Sequence, residues 1–191
     1  RDCLLSRGLG DVYKRQHKLE GRLVPEAEFD FVPITVTGFD RSRPWTALTS
    51  LWRVNKAKRA LANHFSKVGK PDAAIGFGAY VEVPLLGWCK GAGVPYLLHE
   101  QNSVPGLANK MMSSHAVRVC ISVPAARSVF EREGDPEHVL MTGNPVRRSV
   151  IEGDRSRGRK LLGVPEDATL LLVFGGSLGA QHLNERVASL K

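Results

Sequence analysis

The sequence predicts an α/β chain with a doubly wound parallel sheet covered by helices on both faces. Short, almost wholly apolar segments alternate with segments of helical periodicity, and this alternation is typical of parallel strands that are buried on both sides. Several apolar segments also end in glycines or polar residues. Because ligands of such folds bind beyond the carboxyl ends of the strands, we expect a binding site along that edge.

Each predicted strand is an apolar run bounded by turn-forming residues. The runs are FDFVPITV (29–36), DAAIGFG (72–78), PYLLHE (95–100), AVRVCIS (116–122), HVLMTG (138–143) and TLLLVFGG (169–176). The predicted helices occupy the segments between them, namely Pro44 to about Lys67, Val83 to Gly91, the stretch after Pro105, PAARSVFER (124–132) and LGAQHLNERVASL (178–190).

The chain is expected to divide into three parts. Residues 1–16 show no clear periodicity and are interpreted as an unrelated, disordered lead-in outside the fold. Residues 17–148 form a first Rossmann-like domain, which ends at a Gly-Asn-Pro turn followed by a basic stretch. Residues 149–191 are the beginning of a second Rossmann-like domain, since one strand with two helices cannot enclose a core of its own.

Composition narrows the class of protein. The chain has 191 residues, of which 42% are hydrophobic and 24% charged, so a soluble globular protein is expected and disorder is not. Its three cysteines are odd in number and widely spaced, which suits a reducing compartment better than a disulfide framework, and none has zinc-site spacing. No apolar run approaches the ~18 residues of a membrane span, and we expect no metal.

The positive charge is concentrated in one segment. Residues 41–70 carry eight basic residues and no acidic ones, within a chain of net charge +8. In the helix predicted there, the core face consists of Leu51, Val54, Leu61, Ala62 and Phe65, with Lys58 at its rim. A second face combines apolar and basic side chains that fit an anionic membrane surface: Trp45, Leu48, Trp52, Lys56 and Arg59.

Two alternatives to membrane contact stay open for this second face. The charge run is also compatible with a solvated helix face, and the tryptophans with packing under a neighbouring loop. Nucleic acid is not expected as a partner, because no recognised binding module accompanies the basic residues.

The strongest local motif is the glycine-rich turn in VFGGSLGAQ. Gly175 and Gly176 end a predicted strand, Ser177 follows at a position typical of a helix cap, and Gly179 opens the helix. Free N–H groups at such a helix start favour a diphosphate. The alternative is a tight turn that needs glycine only for packing.

Three further strand ends carry features of a binding site. GFGAYVEVP (76–84) is a second glycine turn, and TGNPVRR (142–148) brings Arg147. The third is His99-Glu100-Gln101-Asn102, an unusual run of four polar side chains directly after a buried strand. Since the carboxyl ends of parallel strands share one edge of a sheet, we expect these segments to converge on one cleft.

Three segments carry a resemblance to a known family: GFGAYVEVPLLGWCKGAGVPYLLHEQNSVPGLANK, TGNPVR and VFGGSLGAQHLNE. In this order and spacing they resemble the N-acetylglucosaminyltransferases of bacterial peptidoglycan synthesis, over residues 17–191. The resemblance implies a GT-B fold of two Rossmann-like domains. It also implies inverting transfer of GlcNAc from UDP-GlcNAc to lipid I, undecaprenyl-pyrophosphoryl-MurNAc-pentapeptide, without metal or cofactor.

The resemblance assigns roles residue by residue. It implies that Asn102, Arg147 and Ser177 bind UDP-GlcNAc, and that the helix with Trp45 and Trp52 docks on the cytoplasmic face of the cell membrane as a peripheral contact. His99, Glu100 and Gln101 are expected to brace the turn after the strand or to contact the acceptor.

The chain also departs from the family pattern. A glycine-rich loop with a histidine, the family's candidate general base, is replaced by residues 1–16, so the catalytic residue is unknown. The part that holds uracil and the GlcNAc hydroxyls would follow Lys191. We therefore expect the 191 residues to be inactive and to bind UDP-GlcNAc weakly. Ala79 and Glu82 stand where the family has small residues, and a carboxylate at Glu82 would disfavour a phosphate unless it points away.

Two different classes of protein stay open beside this family. One is a different nucleotide-binding α/β protein, either another GT-B transferase or a Rossmann-type dehydrogenase. A dehydrogenase needs an acidic residue about 20 positions after its glycine turn, and for the 76–80 turn that residue would be Glu100. The other class is a non-catalytic membrane-surface module, which would keep the basic tryptophan helix but has no use for three glycine turns.

Overall fold

The computed structural model describes residues 3–5, 19–34, 36, 46–173 and 180–189. It divides into two compact units, Arg1–Asn144 and Pro145–Lys191. The division therefore falls after Asn144, whereas the sequence predicts it after Arg148.

The first unit contains two parallel sheets. Strands β1 (Cys3–Leu5) and β2 (Asp30–Val32) form a two-stranded sheet. The main sheet has the order β3-β4-β5-β6, made of Ala74–Gly76, Tyr96–Glu100, Arg118–Ile121 and Val139–Met141. All its strands are parallel, so their carboxyl ends lie along one edge, as the alternating pattern predicts.

The lead-in prediction is corrected at Cys3–Leu5. The sequence predicts that residues 1–16 lie outside the fold, but this segment pairs with β2, with Leu4 opposite Phe31. The apolar triplet Cys-Leu-Leu suits a strand, and β2 supplies a parallel hydrogen-bonding partner along one of its edges. The remainder of residues 1–16 lies outside the described residues.

Helices connect the strands of the first unit. Their bounds agree with the predicted segments where the sequence predicts a helix, and they are α1 (Leu19–Glu26), α2 (Thr46–Val68), α3 (Glu82–Ala92), α4 (Leu107–Met112) and α5 (Arg127–Phe130). Helix α3 ends at Gly93, which takes a left-handed conformation with φ 71°. A left-handed glycine after the last helical turn is a common C-terminal cap.

The core lies where α2 and α3 cover the sheet. Leu98 of β4 and Val119 and Ile121 of β5 are fully buried, together with Leu61 of α2 and Leu86 of α3. Strand β4 is buried at every position except the half-buried Leu97, which fits its apolar sequence, whereas β5 alternates between half-buried and buried residues.

Helix α2 differs from its prediction at one position. Val54, Leu61 and Phe65 are buried, but Leu51, which the periodicity places on the core face, is 58% exposed. The 3.6-residue repeat places Leu51 on the core face, but more than half of this residue is left uncovered. Lys58 lies at the rim of the core face, as predicted. Its side chain passes close to α3, with Nζ 3.6 Å from the point where a Cβ on Gly87 would lie.

The second unit contains α6 (Arg148–Ile151), α7 (Arg155–Leu162) and α8 (Gln181–Ala188). Asp154 caps α7 by accepting a hydrogen bond from Arg157 N at 2.6 Å. The strand predicted over 169–176 is wrong for its described part, because residues 169–173 are irregular. Leu171 is 79% exposed, and a lone apolar run becomes a strand only when a neighbour supplies its hydrogen bonds.

Candidate functional site

The candidate site begins at the carboxyl end of β4, where His99 and Glu100 are the last strand residues. In the parallel register they lie opposite Cys120 and Ile121 of β5. Both side chains are buried, at 5% and 1% exposure. The polar run therefore begins inside the protein, becomes half-buried at Gln101 and is exposed at Asn102.

Glu100 organises the loop that follows it. Its Oε1 accepts hydrogen bonds from Asn102 N and Asn102 Nδ2, both at 2.9 Å. Its Oε2 accepts from Gly106 N and from Asn109 Nδ2, also at 2.9 Å. Residues 100–109 are thus held around one carboxylate, and this confirms that Glu100 braces the turn.

These contacts fix the charge state of Glu100. Burial alone would raise the pKa of its carboxyl group, but the hydrogen bonds from Asn109, Asn102 and Gly106 outweigh burial and hold the pKa below its usual value. The carboxylate is therefore ionised at neutral pH, and it places a negative charge beneath the exposed Asn102.

His99 links β4 to the end of β6. Its Nε2 lies 2.9 Å from Gly143 O and its Nδ1 lies 2.8 Å from Gln101 Nε2. A carbonyl oxygen only accepts and an amide nitrogen only donates, so Nε2 carries the proton and Nδ1 accepts. His99 and Gln101 therefore brace the turn as well, as expected for one of their two roles.

Asn109 is a site residue that the sequence pattern does not single out. It is fully buried on α4, and its Nδ2 donates both to Glu100 Oε2 and to His99 O, at 2.9 and 3.2 Å. The available signal is an asparagine directly after the buried Ala108, at the start of a short helix. A buried amide needs hydrogen-bond partners, but the sequence alone does not identify which of the nearby polar residues supply them.

The second glycine turn lies against the same loop. A Cβ added at Gly106 would lie 3.6 Å from Gly78 O, and one at Gly78, where φ is +81°, would lie 2.9 Å from Asn109 Nδ2. Within this turn Gly78 N donates to Glu82 Oε2 at 2.7 Å. The turns after β3 and β4 thus form one continuous rim, which confirms that these two strand ends converge.

Glu82 is buried and its carboxyl group is unusual. Burial raises its pKa to about 7 against the partly compensating hydrogen bonds from backbone N–H groups of the turn. The charged Glu100 adds to the increase. Among the described residues, Glu82 Oε1 has no hydrogen-bond partner. Glu82 therefore points into the turn, not away from it.

The remaining predicted ligand contacts fall elsewhere. Arg147 is exposed and directly precedes α6 in the second unit. Gly175, Gly176, Ser177 and Gly179 lie outside the described residues. The roles of these residues and of Asn102 stay predictions.

The expected membrane face is visible in part. Trp52 is 63% exposed, and Lys56 Nζ lies 5.4 Å from the centre of its ring. Arg59 is exposed on the next turn, whereas Trp45 and the side chain of Leu48 lie outside the described residues. In the part of the chain that the structure describes, no helix has the length and hydropathy needed to cross a membrane.

Two other kinds of site find no support within the described residues. These residues contain no group of three or more His, Cys, Asp or Glu side chains placed to hold a metal ion. Glu100, the acidic residue that a dehydrogenase would use for ribose, has both oxygens engaged by its own loop. That arrangement argues against a dinucleotide site at the 76–80 turn.

Known proteins are similar to this chain over most of its length. Two of them are named UDP-N-acetylglucosamine–N-acetylmuramyl-(pentapeptide) pyrophosphoryl-undecaprenol N-acetylglucosamine transferase. The protein from Acetivibrio thermocellus is 40% identical over 90% of this chain and 46% of its own length. That from Bacillus subtilis is 33% identical over 92% and 47%. The chain thus spans about half the length of the curated relatives it matches.

A solved structure and a family model agree with these relatives. The crystal structure of Acinetobacter baumannii MurG matches with a TM-score of 0.52 and 26% identity, covering 78% of this chain and 38% of that chain. This likeness and the parallel sheet confirm the predicted α/β fold of the GT-B class. The model of the glycosyltransferase family 28 N-terminal domain matches residues 14–121, more than half of the chain. The chain belongs to glycosyltransferase family 28.

Proposed function

We propose that the protein transfers GlcNAc from UDP-GlcNAc to lipid I in peptidoglycan synthesis, at the cytoplasmic face of the bacterial cell membrane. The names of the curated relatives support this donor and acceptor. The observation in this chain that carries the proposal is the Glu100-centred loop, which presents Asn102 at the carboxyl edge of the sheet, where α/β proteins bind nucleotides.

Asn102 is suited to bind an uncharged polar group of a sugar nucleotide. One Nδ2 hydrogen faces Glu100, and the Oδ1 makes no hydrogen bond within the described residues. The second Nδ2 hydrogen and the Oδ1 are therefore available to hydroxyl and amide groups of the donor. Arg147 and Ser177 are proposed as its other contacts, and the glycines at 175, 176 and 179 as the diphosphate turn.

The proposal is tested by a chimera that supplies the other half of the enzyme. The residues of this chain that align with the Bacillus subtilis relative replace the matching half of that protein. We expect the chimera to transfer radiolabelled GlcNAc to a lipid I analogue. A folded chimera that binds UDP-GlcNAc yet transfers nothing, while the unaltered relative is active, would contradict the proposed function.

Replacing Asn102 with alanine is expected to weaken UDP-GlcNAc binding by the chimera about tenfold. Loss of one or two hydrogen bonds to uncharged hydroxyl or amide groups of the donor costs about 1.4 kcal/mol, which corresponds to that factor. Titration calorimetry measures the affinity. The control is Asn55→Ala, an exposed asparagine on α2, and equal affinities for the two variants would remove Asn102 from the donor site.

Membrane contact is proposed for the exposed face of α2. Trp52 presents an aromatic ring beside Lys56, and this pairing suits the headgroup region of an anionic bilayer. We expect Trp52→Ala to lower binding to phosphatidylglycerol vesicles about tenfold, since it removes a large apolar area that the bilayer would bury.

Vesicle co-sedimentation measures this effect. The matched control is Val68→Ala, which removes an apolar side chain of similar exposure, 51%, from the other end of α2. If both variants bind as the unaltered chain does, the Trp52 face does not dock on the membrane.

A further inference from the structure

The turn between β3 and α3 is shaped around the Glu82 side chain. Glu82 is the first residue of α3, and its Oε2 accepts a hydrogen bond from Gly78 N at 2.7 Å. A Cβ added at Gly76 would lie 2.7 Å from the same oxygen, closer than real Cβ atoms approach. Glycine at 76 therefore leaves the space that the carboxyl group fills.

The surroundings of this carboxyl group are those of a phosphate site. A glycine turn leads into the amino terminus of an 11-residue helix, and backbone N–H groups at such a junction attract anions. The hydrogen bond from Gly78 N favours the ionised form of Glu82, and the neighbouring backbone N–H groups of Ala79 and Phe77 act in the same direction. The turn thus has the donors of an anion site, and they face a side chain of the protein.

The side chain blocks this position completely. Glu82 is 5% exposed, and its Oε1 is a buried oxygen without a partner among the described residues. An external oxyanion at Gly78 N would have to occupy the space of Oε2, and wherever Glu82 is ionised it would also meet the negative charge of this carboxylate. Steric overlap and charge repulsion therefore act in the same direction.

We infer that the glycine turn 76–80 is an anion site occupied by the chain's own Glu82 carboxyl group, and that an external phosphate group binds there only after this side chain is removed. The inference rests on the geometry of the turn and is independent of the proposed transferase function. It means that any diphosphate handled by this protein is held by other residues, with the 76–80 turn serving as a fixed part of the rim beside Gly106.

The test uses inorganic pyrophosphate and the Glu82→Ser variant. Heteronuclear NMR follows the amide signals of Gly78 and Ala79 at about one pH unit above the pKa of Glu82, where the carboxyl group is ionised. We expect no saturable shift of these signals in the unaltered chain. In Glu82→Ser both signals should shift and reach saturation as pyrophosphate is added. The apparent affinity should be at least about tenfold higher than any weak binding detected at these amides in the unaltered chain.

Glu82→Gln is the matched control, because it keeps an oxygen acceptor for Gly78 N and fills the same space without charge. It should bind no pyrophosphate at Gly78. Glu82→Ala is a second variant that opens the turn, in case the serine variant folds poorly. Saturable pyrophosphate shifts at Gly78 in the unaltered chain would overturn the inference, and so would their absence in both folded variants that open the turn.

Discussion

Replacing Glu100 with alanine is expected to destabilise the protein by about 3–5 kcal/mol. The substitution leaves four donors without their acceptor: Asn102 N, Asn102 Nδ2, Gly106 N and Asn109 Nδ2. Asn109 is fully buried, so water does not replace the lost partner there. Urea denaturation followed by circular dichroism measures the change in the free energy of unfolding.

Two further variants are compared with Glu100→Ala. One removes an exposed glutamate elsewhere, and the other removes the charge of Glu100 but keeps one acceptor oxygen. Glu133→Ala changes an exposed glutamate and should alter the free energy of unfolding by less than about 0.5 kcal/mol. Glu100→Gln keeps the size of the side chain and one acceptor oxygen. We therefore expect it to lower the free energy of unfolding by less than Glu100→Ala and by more than Glu133→Ala. If Glu100→Ala unfolds at the same urea concentration as Glu133→Ala, the loop is not held by this carboxylate.

The second large effect concerns pH. The pKa of Glu82 rises from 4.5 to about 7 in the folded protein, chiefly because of burial. The folded state therefore binds this proton more tightly than the unfolded state. The contribution of Glu82 to stability is fully present below pH 4.5, falls as pH rises to about 7, and is lost above that value. The shift corresponds to about 3 kcal/mol. Glu82→Gln should match the unaltered chain near the acid end of this range and exceed its stability by about 2–3 kcal/mol above its upper end.

The free energy of unfolding is measured for the unaltered chain and for Glu82→Gln between pH 4.5 and pH 7. The difference between the two curves separates the effect of Glu82 from that of other titrating groups. Glu100, Tyr96 and the buried Cys89 belong to the same neighbourhood, and Lys58 lies along α3. These groups are present in both proteins, so the difference curve retains only the titration of Glu82 and its electrostatic coupling to Glu100 and Tyr96. A difference in the free energy of unfolding that stays constant between pH 4.5 and pH 7 would show that Glu82 does not take up a proton on folding.

Glu100 and Glu82 show how one strand edge assigns different tasks to two buried carboxyl groups. Glu100 receives four hydrogen bonds and stays ionised. Glu82 keeps one oxygen unpaired, so burial dominates and its pKa rises. The first carboxyl group stabilises the loop that carries Asn102, and the second closes the neighbouring glycine turn.

The order of the elements in the first unit could be predicted from the sequence. Strands β3 to β6 lie within the predicted apolar runs, and α2 occupies Thr46–Val68 where the periodicity predicts a helix from Pro44 to about Lys67. These predictions depend on local properties: apolar runs for buried strands, a repeat of 3.6 residues for helices, and glycine where the chain turns.

Other features could not be predicted because they depend on neighbours distant in the chain. Leu51 fits the apolar repeat of α2, yet it is 58% exposed. The run 169–173 has strand composition and is irregular. In both cases the sequence pattern is present, but among the described residues no neighbouring element buries Leu51 or pairs with residues 169–173.

The sequence by itself determined the class of fold and the edge of the sheet where the polar run His99–Asn102 would lie. It also determined the family, since the motifs that carry the resemblance are contiguous stretches of chain. Only the tertiary structure decided what each polar residue does. Asn109 reaches Glu100 because α4 packs back over β4, and Glu82 reaches Gly78 because the turn folds around its side chain. Hydrogen-bond partners and burial are set by the packing of separate elements, and it is this packing that gives two glutamates at one edge opposite pKa shifts.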